Sequence, residues 1–386
     1  MAEPVICAVA RTPVGKFRGA LAGYSAVELG VLAVNELLRR ADIDPASGLI
    51  DEVLFGQVLQ AGAGQAPARQ VALGAGLPFS TPCTTINKVC GSSLKATMIA
   101  ASAIRAGEHE VVITGGMESM SNAPHFVRNP VRGEDVPYSD LVSSMVHDGL
   151  WDVYNDEHMG CTGETVATEF GISRADADAF AARSHRLANQ AWEAGSIDWE
   201  AFALPELARD EGIDAGVTEE ALASLSPVFA ADGQVTAGNA SQLSDGGAAV
   251  LVASVEAAER NGWPVLARII DQNTDGVEPE RVMAAPMPTV NDMLQRNGLS
   301  IDDIDLVEHN EAFASASCAV AQELGIPDEK FNPHGGAVAI GHPLGATGAR
   351  VLMTLINALR RGGGRKGVVT ICLGGGNAVA MLVECD

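Results

Sequence analysis

Two cysteines and a histidine stand out by where they fall in the chain. The stretch "NKVCGSSLKA" places Cys90 between a short β-branched run and an alanine-rich segment that reads as a helix, with "GSS" opening that helix. A thiol at a helix N-terminus lies at the positive end of the dipole, which predicts a more acidic and more nucleophilic sulfur. "TICLGGGNAVAM" sets Cys372 at the end of a strand, before three glycines whose backbone N–H groups would be free to form an oxyanion hole. "GGAVAIGHPLGATGAR" puts His342 on a glycine-bracketed loop just ahead of another helix, where backbone can approach closely. In "EHNEAFA", Asn310 lies between His309 and Glu311 at a strand-to-helix junction, where it could serve a site or simply cap the helix. Either cysteine alone could equally be a small buried packing residue. Two thiols and an imidazole brought together suggest acyl transfer through a thioester.

The elements that must position these groups follow an order that is used twice. "PVICAV", "SAVELGVLAVNELLRR", "IDEVLFGQVLQ" and "APARQVALGAGLP" alternate strand and helix periods, and so do "VLARII", "APMPTVNDMLQRNG", "IDLVEH" and "NEAFASASCAVAQELGIP". Each half then adds a helix and a closing strand. The first has the helix after Cys90 and "EVVITGGMES"; the second has "TGARVLMTLINALRR" and "GVVTICLGGGNAVAMLVE". In that last helix Leu352, Leu355, Ile356 and Leu359 predict one apolar face. The duplication predicts two sheet-containing halves packed face to face, each covering the other, with Cys90 and Cys372 at element boundaries of equivalent halves, where two such sites could converge at the interface. Residues 121–245 differ in texture: "SNAPHFVRNPVRGEDVPYSDLV" is rich in Pro, Arg and Asp, and "SRADADAFAARSHRLANQAWEAG" reads as a solvated helix. They are expected to form an inserted lid or loop region, and long insertions of this kind usually carry function.

Composition bounds the partners. A chain of 386 residues with 47% hydrophobic content folds, and 25 basic against 49 acidic residues, net -24, argue against a nucleic-acid or anionic-membrane surface. The seven cysteines are scattered without a CxxC pair, so neither a metal site nor a disulfide framework is signalled. With no apolar run of spanning length and no secretory or peroxisomal address, a soluble cytoplasmic protein is expected.

Seven ordered segments, "RTPVGKFRGAL", "NKVCGSSLKA", "GGMESMS", "VTAGNAS", "NEAFA", "GGAVAIGHPLGATGAR" and "CLGGGNAVAM", resemble the thiolase family over nearly the whole chain. The resemblance implies an α/β thiolase fold: two duplicated βαβαβαβ halves packed as a five-layer αβαβα sandwich with an inserted loop domain. The expected division is an N-terminal half over 1–120, completed by about 246–266, a loop and tetramerisation region over 121–245, and a C-terminal half over 267–386. By the same resemblance Cys90 matches the nucleophile that takes the acyl group, His342 the base that activates it, and Cys372 the group that moves the proton of acetyl-CoA. The Cys90 and Gly374 N–H groups would form one oxyanion hole, and His342 with a water held by Asn310 the other. Leu150, His158, Met159, Ala237, Ser241 and Phe313 would form the pantetheine channel.

The loop "MVHDGLWDVYNDEHMG" resembles that of short-chain biosynthetic thiolases, so the implied reaction is condensation of two acetyl-CoA to acetoacetyl-CoA and CoA, or thiolysis in reverse. A broader 3-ketoacyl-CoA thiolase is the alternative. A non-catalytic acyl-CoA or lipid-binding relative and a decarboxylating ketoacyl synthase fit less well, because Cys90, His342 and Cys372 are all present. Coenzyme A thioesters are then substrates, with no cofactor and no metal, and a homotetramer is expected. Departures from the family pattern fall at Asp214 and Ser226, where basic residues that meet the CoA nucleotide are common, at His334 and Gln242, and at the glycine-poor "RVMAAPMPTV" around Met283.

Overall fold

The computed structural model describes residues 2–133 and 135–386. Nine strands carry the architecture: β1 (Pro4–Arg11), β2 (Glu52–Gly56), β3 (Cys83–Ile86), β4 (Val111–Ser119), β5 (Ser244–Ser254), β6 (Ala267–Gly276), β7 (Leu306–His309), β8 (Lys366–Leu373) and β9 (Asn377–Glu384). Eight helices matter here: α1 (Ala26–Arg40), α2 (Pro67–Gly74), α3 (Ser92–Ala106), α4 (Met159–Phe170), α5 (Arg174–Glu193), α6 (Pro286–Arg296), α7 (Ala314–Leu324) and α8 (Leu344–Gly362). Ser25 and Ser173 open α1 and α5 with capping boxes to Glu28 and Asp176, which satisfies orphan N–H groups at both starts.

The strands run in the order β7-β8-β9-β6-β1-β5-β4-β2-β3, with the short strand Gly15–Lys16 beside β5. β2 pairs in parallel with β3 and β4, and β7 with β8; the other neighbours on this path are antiparallel. Helices α3 and α8 pack against each other between the two portions of the sheet, in a core that includes Leu94, Met98, Leu352, Leu355, Val369 and Ile371. Helices α1 and α2 cover the outer side of the first portion, and α6 and α7 lie on the outer side of the second. The layers are therefore α, β, α, β, α. The two portions are not separate sheets, however. β1 and β6 join them through the pairs Val5–Arg268 and Ile6–Ala267, because the chain leaving β5 returns beside β1 before entering the second half.

Two expectations about single elements are corrected, and the two halves close differently. "GVVTICLGGGNAVAMLVE" is a hairpin rather than one closing strand, because Gly375 and Gly376 adopt φ of 87° and 82° and reverse the chain between β8 and β9. In the first half the antiparallel partner of β4 is β5, so residues 120–243 stand where the second half has only a three-residue turn. Helix α8 is buried all round from Leu344 to Leu359 rather than along one face, since it is covered by sheet on two sides and by α3. Burying each of Leu355 and Ile356 contributes about 1.5–3 kcal/mol, and its polar residues Thr354 and Asn357 bond the buried Glu200. Helix α5 is solvated on one side only; Ala177, Ala181, Ala188 and Ala191 are buried. Among the described residues no helix is long and apolar enough to cross a membrane.

Candidate active site

Cys90 stands on a sharp turn between β3 and α3. Val89, just before it, has φ 45°, a left-handed conformation that a β-branched side chain adopts only under strain. Local hydrogen bonds hold the turn: the Val89 N–H donates to Asn87 Oδ1 at 3.0 Å, while Ser92 Oγ accepts from the Lys88 N–H and donates to the Val89 carbonyl. Gly91 lets the start of α3 press on the end of β8, since a Cβ there would lie 2.3 Å from Leu373 Cδ2. That contact brings Cys90 beside Cys372. Both cysteines line one cavity of about 50 Å³ with His342, Leu150, Met159, Ser241, Met283, Phe313 and Gly374.

The electrostatics of Cys90 correct one expectation. Its thiol is pushed up, not down, chiefly because the surrounding protein strips it of water, and secondarily by nearby Cys372. The N–H groups of Cys90 itself and of Gly374 pull the other way and do not prevail. Cys372 is pushed up to about 12 by burial, opposed only by its own N–H. Neither thiol is ionised at rest, and the same two N–H groups that touch the Cys90 sulfur are available to an oxyanion formed next to it.

His342 is held in one tautomer. Its Nδ1 lies 2.7 Å from Thr347 Oγ1, whose hydroxyl points to the Pro343 carbonyl at 2.9 Å. Asn310 Nδ2 approaches Nε2 at 3.4 Å as a donor. Both contacts fit a ring that carries its proton on Nδ1 and accepts at Nε2, the form a general base requires. Burial, reinforced by the Arg350 charge, lowers its pKa to about 3, so the ring is neutral near pH 7. Asn310 does not cap α7, which starts at Ala314; its Oδ1 is buried without a partner, as an acceptor waiting for water would be.

Residues 4–256 match the N-terminal thiolase domain and residues 263–385 the C-terminal thiolase domain. The chain belongs to the thiolase family. It is similar to the acetyl-CoA acetyltransferase of Pseudomonas aeruginosa, at 46% identity over 395 residues covering 100% of both chains. The acetyl-CoA acetyltransferase of Cupriavidus necator is 45% identical over 393 residues, again covering 100% of both. The cytosolic acetyl-CoA acetyltransferase of Mus musculus is 43% identical over 392 residues and 98% of each chain.

In this thiolase the cavity gathers most, not all, of the residues singled out from sequence. His158 lies outside it, capping α4 by accepting the Gly160 N–H and stacking on Phe229 at 4.8 Å. Ala237 is exposed on a turn and does not line the cavity. Asp214 is not left as a bare charge: its Oδ1 takes the Gly216 N–H, and its own N–H donates to His185. Ser226 is exposed. Gln242 works as a fastener; its Nε2 donates to the carbonyls of Gly212, Val338 and Ala339, and its own carbonyl accepts the His342 N–H at 3.0 Å. His334 is half-buried, with its Nδ1 unpartnered.

Sequence reasoning assigned no role to Glu118 or Thr347; the wall it flagged around Met283 does line the cavity. Glu118 is fully buried, accepting the N–H groups of Val58, Leu59 and Gly345, so it ties a loop and the start of α8 together beside Cys90. Burial pushes its pKa up to about 7 against the pull of those three donors. Its segment "GGMES" was visible as a motif, and Thr347 falls one helical turn beyond His342, but only the fold shows what either one holds. Glu311, flagged merely by position, binds Ser184 Oγ, Asn332 Nδ2 and the Val338 N–H, and so anchors the loop leading to His342.

Proposed function

We propose that this acyltransferase joins two acetyl-CoA into acetoacetyl-CoA and CoA, and runs the reverse thiolysis, through an acyl group carried on Cys90. The observation that carries the reading is the single small cavity in which Cys90, His342, Cys372 and Gly374 meet. In the first half-reaction the Cys90 sulfur attacks the thioester carbonyl while its proton passes to His342 Nε2. The carbonyl oxygen's charge is met by oriented donors, and CoA leaves as a thiolate that takes the Cys372 proton. Cys372 is thereby left ionised without having to lose its proton to water. In the second half-reaction that thiolate removes a methyl proton from the second acetyl-CoA. The enolate attacks the Cys90 thioester, the N–H groups of Cys90 and Gly374 hold the oxyanion, and the departing Cys90 sulfur recovers its proton from His342.

Cavity size favours a short acyl group over the broader 3-ketoacyl-CoA reading. About 50 Å³ is room for a few water-sized groups at about 10–15 Å³ each, which suits an acetyl unit and not a long chain. The pantetheine arm would pass Leu150, Met159, Ser241 and Phe313, with the substrates cytoplasmic. A homotetramer is supported by the hairpin that pairs His125–Phe126 with Val142–Ser143, between whose strands Val131, Val136 and Tyr138 are exposed. Thiolysis rates on 3-ketoacyl-CoA of increasing length test the function, with the four-carbon substrate expected to be fastest. Equal or better turnover of an eight- to ten-carbon substrate (chosen because each buried methylene is worth about 0.8 kcal/mol where a pocket accepts it) overturns the short-chain assignment.

A further inference from the structure

Thr347 and Asn310 orient the His342 ring, but neither fixes where the backbone of residue 342 stands. That backbone leaves a single helical turn, Ala337–Ile340, through Gly341, whose φ is 113° and where a Cβ would lie 2.3 Å from Ser244 Oγ and 2.8 Å from Val14 Cγ1. The N–H groups that would continue the turn are not there to do so: the His342 N–H goes to the Gln242 carbonyl at 3.0 Å and to Ser244 Oγ at 3.2 Å, and residue 343 is a proline. The carbonyls of Val338 and Ala339 are left for a side chain. Gln242 Nε2 donates to both, at 3.0 and 3.1 Å.

The same amide reaches a third carbonyl, that of Gly212 at 3.1 Å, in the segment inserted between β4 and β5. Gly212 is a firm support. Two residues before it, buried Asp210 pairs with Arg11 and accepts from the Val14 N–H and Trp192 Nε1, and the Glu211 N–H donates to the Val14 carbonyl at 2.9 Å. A Cβ on Gly212 would stand 2.5 Å from the Ala339 carbonyl oxygen, so the inserted segment presses directly on the turn that leads to His342. Gln242 itself does not line the cavity. We propose that Gln242 is a positioning residue for His342: its amide ties the turn before His342 to the braced Gly212 segment, and so sets how Nε2 meets the Cys90 thiol. The proposal deepens the reading above and rests on His342 being the base that takes the Cys90 proton.

The test measures single-turnover acetylation of Cys90 by radiolabelled acetyl-CoA, over a range of concentrations, in the full-length wild type, Gln242→Ala and Gln242→Glu. The second variant keeps the shape of the side chain and removes both of its N–H donors. In both variants the maximal loading rate should fall about tenfold, because a small misplacement of a reacting group costs that much. The half-saturating concentration of acetyl-CoA should move less than about twofold, since no contact with substrate is lost. If Gln242→Glu does not fold, Gln242→Met, similar in length and without donors, carries the same comparison. A maximal rate within about twofold of wild type overturns the proposal even where the melting temperature falls, because Gln242 would then brace the fold and not the base. So does a raised half-saturating concentration at an unchanged maximal rate, or loading at the wild-type rate in Gln242→Glu. His342→Ala reports separately on the base: loading that survives there at the wild-type rate defeats that reading, and the proposal with it, whatever the Gln242 variants show.

Discussion

The turn that carries Cys90 and the hairpin that carries Cys372 come from different halves and from different places in them, one ahead of a helix and the other at the end of a strand, and they are built in opposite ways. Cys90 follows a strained Val89 and is followed by Gly91 and a helix start, so its sulfur is presented with N–H groups against it. Cys372 ends a straight strand, is enclosed on the α6 side of the sheet, and gives its proton to a thioether rather than to any oxygen. The contrast teaches that one sulfur is arranged to be attacked from and recharged, while the other is arranged to give and take a proton without becoming a competing nucleophile. Both thiols are raised by burial, so acidity is not what separates them; neighbouring donors are.

The largest break in this comparison comes from Cys90→Ala. Radiolabel transfer from acetyl-CoA to the protein and every overall turnover should be lost, because Cys90, unlike Cys372, is the thiol with both the Cys90 and Gly374 N–H groups against it. Label still bound covalently in Cys90→Ala would reverse the roles assigned to the two turns.

Cys372→Ala should fail in kind rather than in degree. The Cys90 acyl group still forms, because a thiolate is a good enough leaving group to depart from a thioester unprotonated. Acetyl exchange between CoA molecules then persists while condensation falls by roughly two to four orders of magnitude, the usual worth of a positioned acid or base. Condensation near the wild-type rate would show that Cys372 is a packing residue and that the contrast between the thiols is empty.

A smaller effect separates the two sides by pH. Glu118 belongs to the Cys90 side, where it gathers the N–H groups of Val58, Leu59 and Gly345, and its pKa is raised to about 7. Below that pH the carboxyl is protonated and loses acceptor capacity, so acyl loading should fall as pH drops through about 7 and rise again above it. His342, lowered to about 3, contributes no such limb in this range. Single-turnover loading against pH should show a change of about tenfold, and Glu118→Gln should lower the plateau and remove the limb. A limb that persists in Glu118→Gln belongs to another group and removes Glu118 from the Cys90 side.

How much of this was legible depended on the distance over which each residue acts. Alternation of strand and helix, the repeated order of elements, and the placement of Cys90, His342 and Cys372 beside glycines are local patterns, and all three residues do meet in one cavity. The joining of the sheet at Val5–Arg268 is not local, since it depends on where β6 arrives after the insertion. The helix-dipole argument for an acidic Cys90 failed because it considered one element, while desolvation comes from everything packed around the thiol. Thr347 was hidden because its value lies in fixing a proton on His342.

The smallest and most selective change is Val89→Gly. The positive φ at Val89 stores about 1–3 kcal/mol of strain that glycine does not feel. Against that gain, glycine loses more backbone freedom on folding, about 0.5–1 kcal/mol, and the loop loses a side chain that lines the cavity. Stability should therefore change little, by less than about 3 °C in melting temperature. Acyl loading should still drop, by roughly fivefold, an expected cost of about 1 kcal/mol for letting the Cys90 N–H wander from its place beside the Gly374 N–H. A large fall in melting temperature would make Val89 a packing residue whose strain is incidental. Unchanged loading would mean that the strained turn does not hold the oxyanion donors, and the two halves would then differ less than their geometry suggests.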